Sequence, residues 1–314
     1  MKRQHNFLNS IYLITYLLFF IIVINCKNEN IYIIRDRAVS FCWGPDTGSF
    51  AYVVEQPESF DALNNSQHTY TEMYIHITTS IEDVLLIGKD TAGYDIAWSP
   101  KGDLMAVTSS LDNSPVSIWF FPLDRKKPPF KMSDDYYINC NPAFSPDGKK
   151  IAFISNRSVN RVVCVKSLNS DTVTILTEKL PGNSNYPFWN PNDKEIIFTS
   201  FNTETLNDIY TVNLETGVIT PLIQSPVDEL NACYSPDGKY IVFYKSLDRK
   251  TTAIWIKEVR TGKEYPFSYM LSFHWIGARF NPDGTKIAFL ALTKKLKKYD
   301  ANVNLVYQPF SIKK

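Results

Sequence analysis

The sequence has few of the residues from which metal sites and disulfide frameworks are built. Its 314 residues include only 4 histidines and 5 cysteines, and no two cysteines are separated by two residues. No histidine has a second ligand nearby at the spacing that zinc sites use. We therefore expect no metal and no cofactor. Cys42, Cys140, Cys164 and Cys233 each lie in or beside an apolar run, so we expect them to be buried free thiols.

An excess of charge and a hydrolase motif are also missing. Lys and Arg number 33 against 32 for Asp and Glu, which gives a formal net charge of +1. This balance offers no field for neutralising phosphates, so we expect no nucleic-acid partner. The Gly-x-Ser-x-Gly elbow of serine hydrolases does not occur. Apolar residues, in contrast, make up 44% of the chain, which is enough for a large folded core.

The N-terminus has the order of features that export requires. Lys2 and Arg3 precede an apolar run over residues 11–24, and Cys26 follows almost directly. This order resembles the lipobox of bacterial lipoproteins, in which the cysteine is acylated. We predict a signal peptide over residues 1–25, a lipidated tether over residues 26–30, and anchoring in the bacterial cell envelope through Cys26. An uncleaved signal anchor and ordinary soluble secretion are the alternatives.

One signature recurs six times along the rest of the chain. Each copy has an aromatic residue, a small or polar residue and a proline, followed by a turn and an apolar triplet. The prolines are 55, 46, 45, 45 and 46 residues apart: Pro45, Pro100, Pro146, Pro191, Pro236 and Pro282. A period this regular indicates one structural unit repeated six times.

The elements of each repeat are short strands. Pro-Asp-Gly in three copies is typical of a tight turn, since glycine accepts the positive φ that closes it. The triplets, such as residues 151–153, are typical of a strand that is covered on both faces. Two further apolar runs follow. We therefore predict an all-β fold, a six-bladed β-propeller of four-stranded blades over residues 31–314, closed by an N-terminal strand at residues 31–34 that joins the last blade.

A family resemblance enters at these turns and triplets. The segment Ser-Pro-Asp-Gly-Lys-Lys-Ile-Ala-Phe at residues 145–153 and its five relatives resemble the repeats of TolB-type β-propellers. The resemblance implies a propeller in the cell envelope. In TolB the propeller docks a peptidoglycan-associated lipoprotein at the mouth of its channel. The resemblance therefore implies a non-enzymatic module that binds an envelope protein or peptide segment, and we expect it to be a monomer.

Binding residues are expected near the start of the inner strands. Three places before each repeated aromatic residue stand six residues that would ring the channel mouth: Ser40, Asp95, Asn141, Tyr186, Asn231 and Gly277. The predicted binding site consists of Asp95, Asn141, Tyr186, Asn231 and the nearby Trp275, which mix hydrogen-bonding and aromatic groups. The alternative interpretation is that polar residues there only face channel water. We predict no catalytic residue and no metal ligand.

An enzymatic function is the second hypothesis. Asp95, Asp228, Glu229 and His274 supply the residue types for acid–base catalysis on a glycan or peptide. That function requires the four side chains to converge at the channel mouth.

Three further expectations concern packing and exposed segments. The insert at residues 56–70 predicts a long exposed loop. The lysines within residues 294–298 predict a solvated hairpin tip. The repeated aromatic residues are expected in the core: Trp43, Trp98, Phe144, Trp189, Tyr234 and Phe280.

Overall fold

The computed structural model describes residues 38–311, with gaps at residue 47 and at residues 62–65, 77–83, 88–92, 111–114, 134–135, 203–205, 248–251, 271–276 and 293–302. The chain divides into two units, Met1–Tyr32 and Ile33–Lys314, and the described residues belong to the second. Cys26, the predicted closing strand at 31–34, His274, Trp275 and residues 294–298 lie outside them. None of the described segments forms a helix with the length and hydropathy of a membrane span.

The described chain is all-β, as predicted, and its strands form antiparallel meanders. Blade 1 contains β1 (Ala38–Trp43), β2 (Phe50–Asp61), β3 (Ser66–His76) and β4 (Val84–Ile87). Blade 2 contains β5 (Gly93–Trp98), β6 (Leu104–Ser109), β7 (Ser117–Pro122) and β8 (Phe130–Lys131). Blade 3 contains β9 (Asn139–Phe144), β10 (Lys150–Ser155), β11 (Val162–Ser167) and β12 (Val173–Ile175).

The next two repeats have the same order. Blade 4 contains β13 (Ser184–Trp189), β14 (Glu195–Asn202), β15 (Leu206–Asn213) and β16 (Ile219–Ile223). Blade 5 contains β17 (Glu229–Tyr234), β18 (Tyr240–Ser246), β19 (Thr252–Glu258) and β20 (Glu264–Met270). In every blade the first of the four strands is the inner one, and it pairs with the second.

The last repeat differs from the other five. Its described residues form a three-stranded sheet of β21 (Arg279–Phe280), β22 (Lys286–Leu292) and β23 (Val303–Pro309). The described residues therefore contain five complete blades, where the sequence predicts six. The prediction of four-stranded blades is confirmed for those five. Closure of the sixth sheet by an N-terminal strand stays a prediction, because residues 31–34 lie outside the described part.

The apolar triplets are buried on both faces, as predicted. Phe153, Phe198 and Phe243, in the second strands of blades 3, 4 and 5, have no exposed surface. Each packs against residues of the neighbouring blade: Phe153 clusters with Ile118 of blade 2, and Phe198 with Ile154 of blade 3. Burying one such side chain contributes about 1.5–3 kcal/mol. A single blade cannot cover both of its faces, so blades are stable only when they pack side by side.

The Pro-Asp-Gly turns have the conformation that their residues predict. In blade 3 the Ser145 hydroxyl donates to Asp147 Oδ1 at 2.7 Å and accepts from the Lys150 backbone N–H at 2.9 Å. Gly148 has a φ of 64°, and its N–H donates to the Ser145 carbonyl at 2.8 Å. The same bonds recur around Ser235 in blade 5. Each repeat thus encodes a turn that fixes the register between its inner and second strands.

Two tryptophans join neighbouring sheets by the same hydrogen bond. The indole N–H of Trp189 in blade 4 donates to the Ala143 carbonyl of blade 3 at 2.9 Å. The indole N–H of Trp43 in blade 1 donates to the Arg279 carbonyl of the sixth sheet at 3.1 Å. Both carbonyls belong to the residue directly before the repeated aromatic residue of their sheet. Trp43 contacts the sixth sheet as Trp189 contacts the preceding blade, so the first and last sheets are neighbours around the axis.

The insert of the first repeat lengthens a hairpin, so the expectation of an exposed loop at residues 56–70 is wrong. β2 and β3 pair from Phe50 and His76 to Asp61 and Ser66, with one irregularity after Gln56. β3 is rich in threonine and tyrosine, which favour the extended conformation. The extra residues therefore continue the ladder.

The turn of blade 4 offers a test of this local design. Asp193 occupies the position that Gly148 occupies in blade 3, has a φ of 61°, and donates its N–H to the Asn190 carbonyl. Its Oδ1 is buried without a hydrogen-bond partner among the described residues. Asp193→Gly should therefore raise the free energy of unfolding by about 0.5–1 kcal/mol, because glycine adopts a positive φ without strain. Urea denaturation measures the change.

The reverse substitution is the matched control. Gly238 has a φ of 71°, and a Cβ there would meet no atom within 4 Å. Gly238→Asp therefore isolates the cost of the backbone conformation and should lower stability by about 1 kcal/mol. A loss of stability in Asp193→Gly would show that the carboxylate matters more to this turn than its backbone strain.

Candidate functional site

The inner strands enclose a central cavity of about 480 Å³, which we call the channel. All six positions that the sequence predicts to ring the mouth line this channel. We call them the channel ring: Ser40, Asp95, Asn141, Tyr186, Asn231 and Gly277. The five that belong to complete blades each lie at the third residue of an inner strand, so they meet at one end of the channel. The convergence of Asp95, Asn141, Tyr186 and Asn231 follows from the repeat alone.

A bulge in the inner strands of blades 2 to 5 positions their members of the channel ring. In blade 4, Asn185 pairs with Thr199 and Phe188 pairs with Ile197, so Tyr186 and Pro187 together face one residue of β14. Blades 3 and 5 have the same irregularity. Asn141, Tyr186 and Asn231 have φ values of 51°, 52° and 54°.

This left-handed conformation is strained for residues other than glycine. It costs a non-glycine residue about 1–2 kcal/mol, and an aromatic side chain is unusual there. The bulge enforces this conformation at three equivalent positions around one cavity.

Gly277 occupies the ring position of the sixth sheet and leaves space for Arg279. A Cβ at Gly277 would lie 2.0 Å from Arg279 Nη1 and 2.3 Å from Asn231 Oδ1. Arg279 Nη2 donates to Asn231 Oδ1 at 2.7 Å, Arg279 Nη1 donates to the Ala278 carbonyl at 3.0 Å, and the guanidinium lies 5.4 Å from the centre of the Phe188 ring. At the sixth position of the ring, the guanidinium of Arg279 therefore fills the space that a side chain at position 277 would take.

Asp95 supplies the opposite charge. Burial raises the pKa of its carboxyl to about 6, and the Asn141 amides and the Arg279 charge offset only part of this rise. Asp95 and Arg279 form no direct ion pair in the structure, although each feels the charge of the other. Close to neutral pH, Asp95 is therefore a titratable group within the channel ring.

The tyrosine and the thiols in and beside the channel stay neutral. Burial raises the pKa of Tyr186 to about 12, and the charge of Asp95 adds to this shift. Burial likewise raises the pKa of Cys42 and of Cys140 to about 12. These thiols are free, as are Cys164 and Cys233, which agrees with the prediction. Only Cys164 and Cys233 are fully buried, however, while Cys42 and Cys140 are partly buried beside the channel.

The carboxylates that the enzyme hypothesis requires do not come together among the described residues. Asp95 lines the channel, but Asp228 accepts hydrogen bonds from the Asn207 backbone and side chain at 3.2 and 2.7 Å. Glu229 is fully buried, accepts from the Ser225 hydroxyl and pairs with Lys245 at 3.2 Å. Both residues therefore have structural partners away from the ring. His274 lies outside the described residues.

The repeated aromatic residues have a second role that the sequence did not indicate. Trp189, Tyr234 and Phe280 are buried, as expected for core residues, whereas Trp43, Trp98 and Phe144 are only partly buried. All six line the channel, together with the six prolines of the repeat. The channel is therefore polar at the ring and apolar towards the turns. The periodicity predicts packing, but it cannot separate a core surface from a channel wall.

The face around the ring, which we call the mouth face, carries exposed apolar residues. In an antiparallel meander the start of the inner strand and the connection between the second and third strands lie at the same end. Ile138 directly precedes β9, and Val159 lies in the connection between β10 and β11. Tyr136 is 92% exposed and Val159 is fully exposed. The exposed apolar residues at this end are Tyr136, Tyr137, Ile138, Val159, Phe201, Leu206 and Leu247.

Comparisons with known proteins agree with the fold. Residues 142–305, just over half of the chain, match the family model of the TolB β-propeller domain. An uncharacterized protein of Agrobacterium fabrum is 24% identical over 209 residues, which are 66% of each chain. The crystal structure of TolB from Acinetobacter baumannii has a TM-score of 0.67 at 18% identity, over 84% of this chain and 64% of that one.

A sugar-cleaving enzyme also shares the architecture. The structure of an oligogalacturonate lyase from Vibrio parahaemolyticus has a TM-score of 0.56 at 10% identity, over 88% of this chain and 91% of that one. At such low identities the two structural similarities show the fold alone. The chain also spans just under two thirds of the length of the Agrobacterium relative and of the Acinetobacter protein.

The raised pKa of Asp95 predicts how stability depends on pH. A carboxyl whose pKa is raised on folding stabilises the fold fully below its unfolded pKa, near 4, and this contribution is lost as the pH rises through about 6. Asp95→Asn removes this titration. The free energy of unfolding of Asp95→Asn relative to the wild type should therefore increase by about 2 kcal/mol between pH 4 and pH 8.

Urea denaturation across this pH range measures the difference. The matched control is Asp103→Asn, which changes an exposed carboxylate in the turn of blade 2. Parallel stability curves for wild type and Asp95→Asn would contradict the burial of a charged group at this position.

Proposed function

Because the chain belongs to the TolB β-propeller domain family, we propose that it is a non-enzymatic binding module of the cell envelope. Its partner is a protein or peptide segment that enters the channel at the mouth face. The observation that carries this proposal is the convergence of the channel ring, because each sheet contributes one residue to a single cavity. A segment inserted there meets hydrogen-bonding groups from several directions, which is the arrangement of an interface hot spot.

The conformations of the ring residues support binding at this end. Asn141, Tyr186 and Asn231 share the left-handed backbone conformation that the bulges enforce, so the same residue of each strand lines the channel. Tyr186 offers a flat aromatic surface and a neutral hydroxyl, and the asparagines offer donors and acceptors. Trp275 belongs to the same proposed site by its place in the sequence. The apolar residues of the mouth face supply the surrounding contact area.

The enzyme hypothesis has less support. The chain resembles the oligogalacturonate lyase in architecture alone. Asp228 accepts a hydrogen bond from Asn207, and Glu229 pairs with Lys245. The described residues also contain no group of three or more His, Cys, Asp or Glu side chains that could hold a metal ion. A single channel carboxyl, Asp95, is insufficient for the two-carboxylate chemistry of glycosidases.

Export and lipid attachment complete the proposal. The envelope location of the family agrees with the charged start, the apolar run and Cys26. We propose that Cys26 is acylated and that residues 31–34 add a strand to the sixth sheet, which would give a sixth four-stranded blade. An unpaired edge there would invite association with other chains, so closure also agrees with a monomer.

The binding site can be tested with ring variants. The partner is first identified by crosslinking in the bacterium that produces the protein and is then purified. Tyr186→Ala and Asn231→Ala should each weaken its binding roughly tenfold or more, because they remove contacts at the centre of the interface. Tyr265→Ala, in the outer strand of blade 5, is the matched control and should bind normally.

The contrary result is equally clear. Suppose that folded Tyr186→Ala and Asn231→Ala proteins bind as the wild type does, while changes at residues 56–70 or 294–298 weaken the complex. The channel mouth would then be the wrong site. Circular dichroism establishes that each variant is folded before its affinity is interpreted.

Lipid attachment has a separate test. Cys26→Ala should abolish labelling by radioactive palmitate and release the protein from the membrane fraction, because the acylated thiol is the proposed anchor. Cys42→Ala serves as the control and should be labelled as the wild type is. Retention of the Cys26→Ala protein in membranes after cleavage of residues 1–25 would rule out the lipid anchor.

A further inference from the structure

Arg279 is a cation in the channel wall that is held by neutral groups. Its guanidinium donates to the Asn231 side chain, to the Asn231 carbonyl at 3.5 Å and to the Ala278 carbonyl, and it lies over the Phe188 ring. No carboxylate of a described residue forms an ion pair with it. A partly desolvated guanidinium without a counter-ion favours an incoming anion, and its planar donors match a carboxylate.

A second guanidinium adds to the positive potential. The charges of Arg161 and Arg279 both act on the hydroxyl of Tyr186, where Asp95 is the opposing charge. Arg161 is exposed, and its backbone N–H donates to Asn183 Oδ1 at 2.8 Å. At the Tyr186 hydroxyl the two guanidinium groups outnumber the one carboxyl.

The surroundings of this charge are apolar. Tyr136, Tyr137, Ile138 and Val159 are exposed on blade 3 of the mouth face, and Leu206 is exposed on blade 4. Clustered exposed apolar residues mark interaction surfaces. A small free anion would reach Arg279 and leave them uncovered, whereas a peptide segment could cover both.

Resting on the proposed function, we propose that the bound segment is an acidic, partly apolar stretch of a partner protein. An aspartate or glutamate side chain of that stretch enters the channel and pairs with Arg279. Neighbouring apolar side chains of the same stretch pack on the exposed residues of blades 3 and 4. Gly277 makes the pairing possible, because any larger residue would displace the guanidinium.

Selection from random peptides tests the chemistry without knowledge of the partner. Phage-displayed peptides are selected on the purified full chain at low salt and near-neutral pH. Enriched peptides should contain an aspartate or glutamate flanked by apolar residues. The best peptide is then synthesised together with its Glu→Gln or Asp→Asn analogue, and fluorescence anisotropy measures both affinities.

A double-mutant cycle isolates the proposed pair. The amide analogue should bind wild type roughly tenfold more weakly than the acidic peptide, and Arg279→Gln should lose a similar factor for the acidic peptide. The two losses should not multiply when they are combined, because they remove the same contact. Arg260→Gln, in the turn between β19 and β20 at the opposite face, is the matched control and should leave both affinities unchanged.

Each other outcome counts against the inference in an identifiable way. The selected peptides could lose binding to Tyr186→Ala and yet show no coupling to Arg279. That result would contradict the pairing of a peptide carboxylate with Arg279, but it would still support binding at the channel mouth. The absence of any channel-binding peptide would count against both. Displacement of the peptide by galacturonate oligomers that bind more tightly would assign the anion site to a carbohydrate. If Arg279→Gln does not fold, the amide peptide on wild type and the Arg279→Lys variant still test the pair.

Discussion

The packing of each blade against its two neighbours is the constraint on which the rest of the structure depends. The second strand of every sheet is apolar on both faces, so both faces must be covered by other sheets. Ile151 and Phe153 are covered from blade 2, while Ala152 and Ile154 are covered from blade 4. Sheets that must be covered on both sides, and that twist, form a closed circle more readily than an open stack. The bond from Trp43 to the sixth sheet fits this requirement.

The circular arrangement makes the channel a by-product of packing. The inner strands are held by the Ser/Asn-Pro-Asp-Gly turns at one end, where the repeated aromatic residues and prolines line an apolar wall. At the other end a bulge in blades 2 to 5 releases the ring residue of each inner strand from the ladder. That residue is free of the packing constraint, so Asp95, Asn141 and Tyr186 can differ while Trp98, Phe144 and Trp189 stay aromatic. The proposed binding residues therefore lie where the repeat varies.

The parts of the structure that follow from local sequence could be predicted. The turns and the buried triplets repeat with the period of the chain, and so do the positions of Asn141, Tyr186 and Asn231. A structure that is predicted for one repeat therefore applies to the others. The role of Arg279 could not be predicted in this way, because it depends on Gly277 having no side chain and on Asn231 from a neighbouring blade. The only signal in the sequence was a glycine at a position that is polar or aromatic in most other copies.

The same limit explains the carboxylates and the first hairpin. Asp228 and Glu229 are adjacent in the sequence, which does not show their different partners. Asp228 accepts a hydrogen bond from Asn207, whereas Glu229 is buried and pairs with Lys245. Partners in other strands decide this. The insert at residues 56–70 looked like a loop because it breaks the period, yet a hairpin can grow by pairing without disturbing the blade that carries it.

The distribution of charge among the described channel residues suits the proposed binding function better than acid–base catalysis. Acid–base catalysis needs groups whose pKa values are set apart and whose side chains meet at one reacting bond. Among the described channel residues, burial raises the pKa of the Asp95 carboxyl to about 6, while the Tyr186 hydroxyl and the Cys42 thiol stay protonated. Arg279 is held by neutral acceptors and the Phe188 ring, and therefore keeps its charge available to an anion. Such a site can hold a carboxylate in place, and the described residues that line the channel offer no second carboxyl beside Asp95.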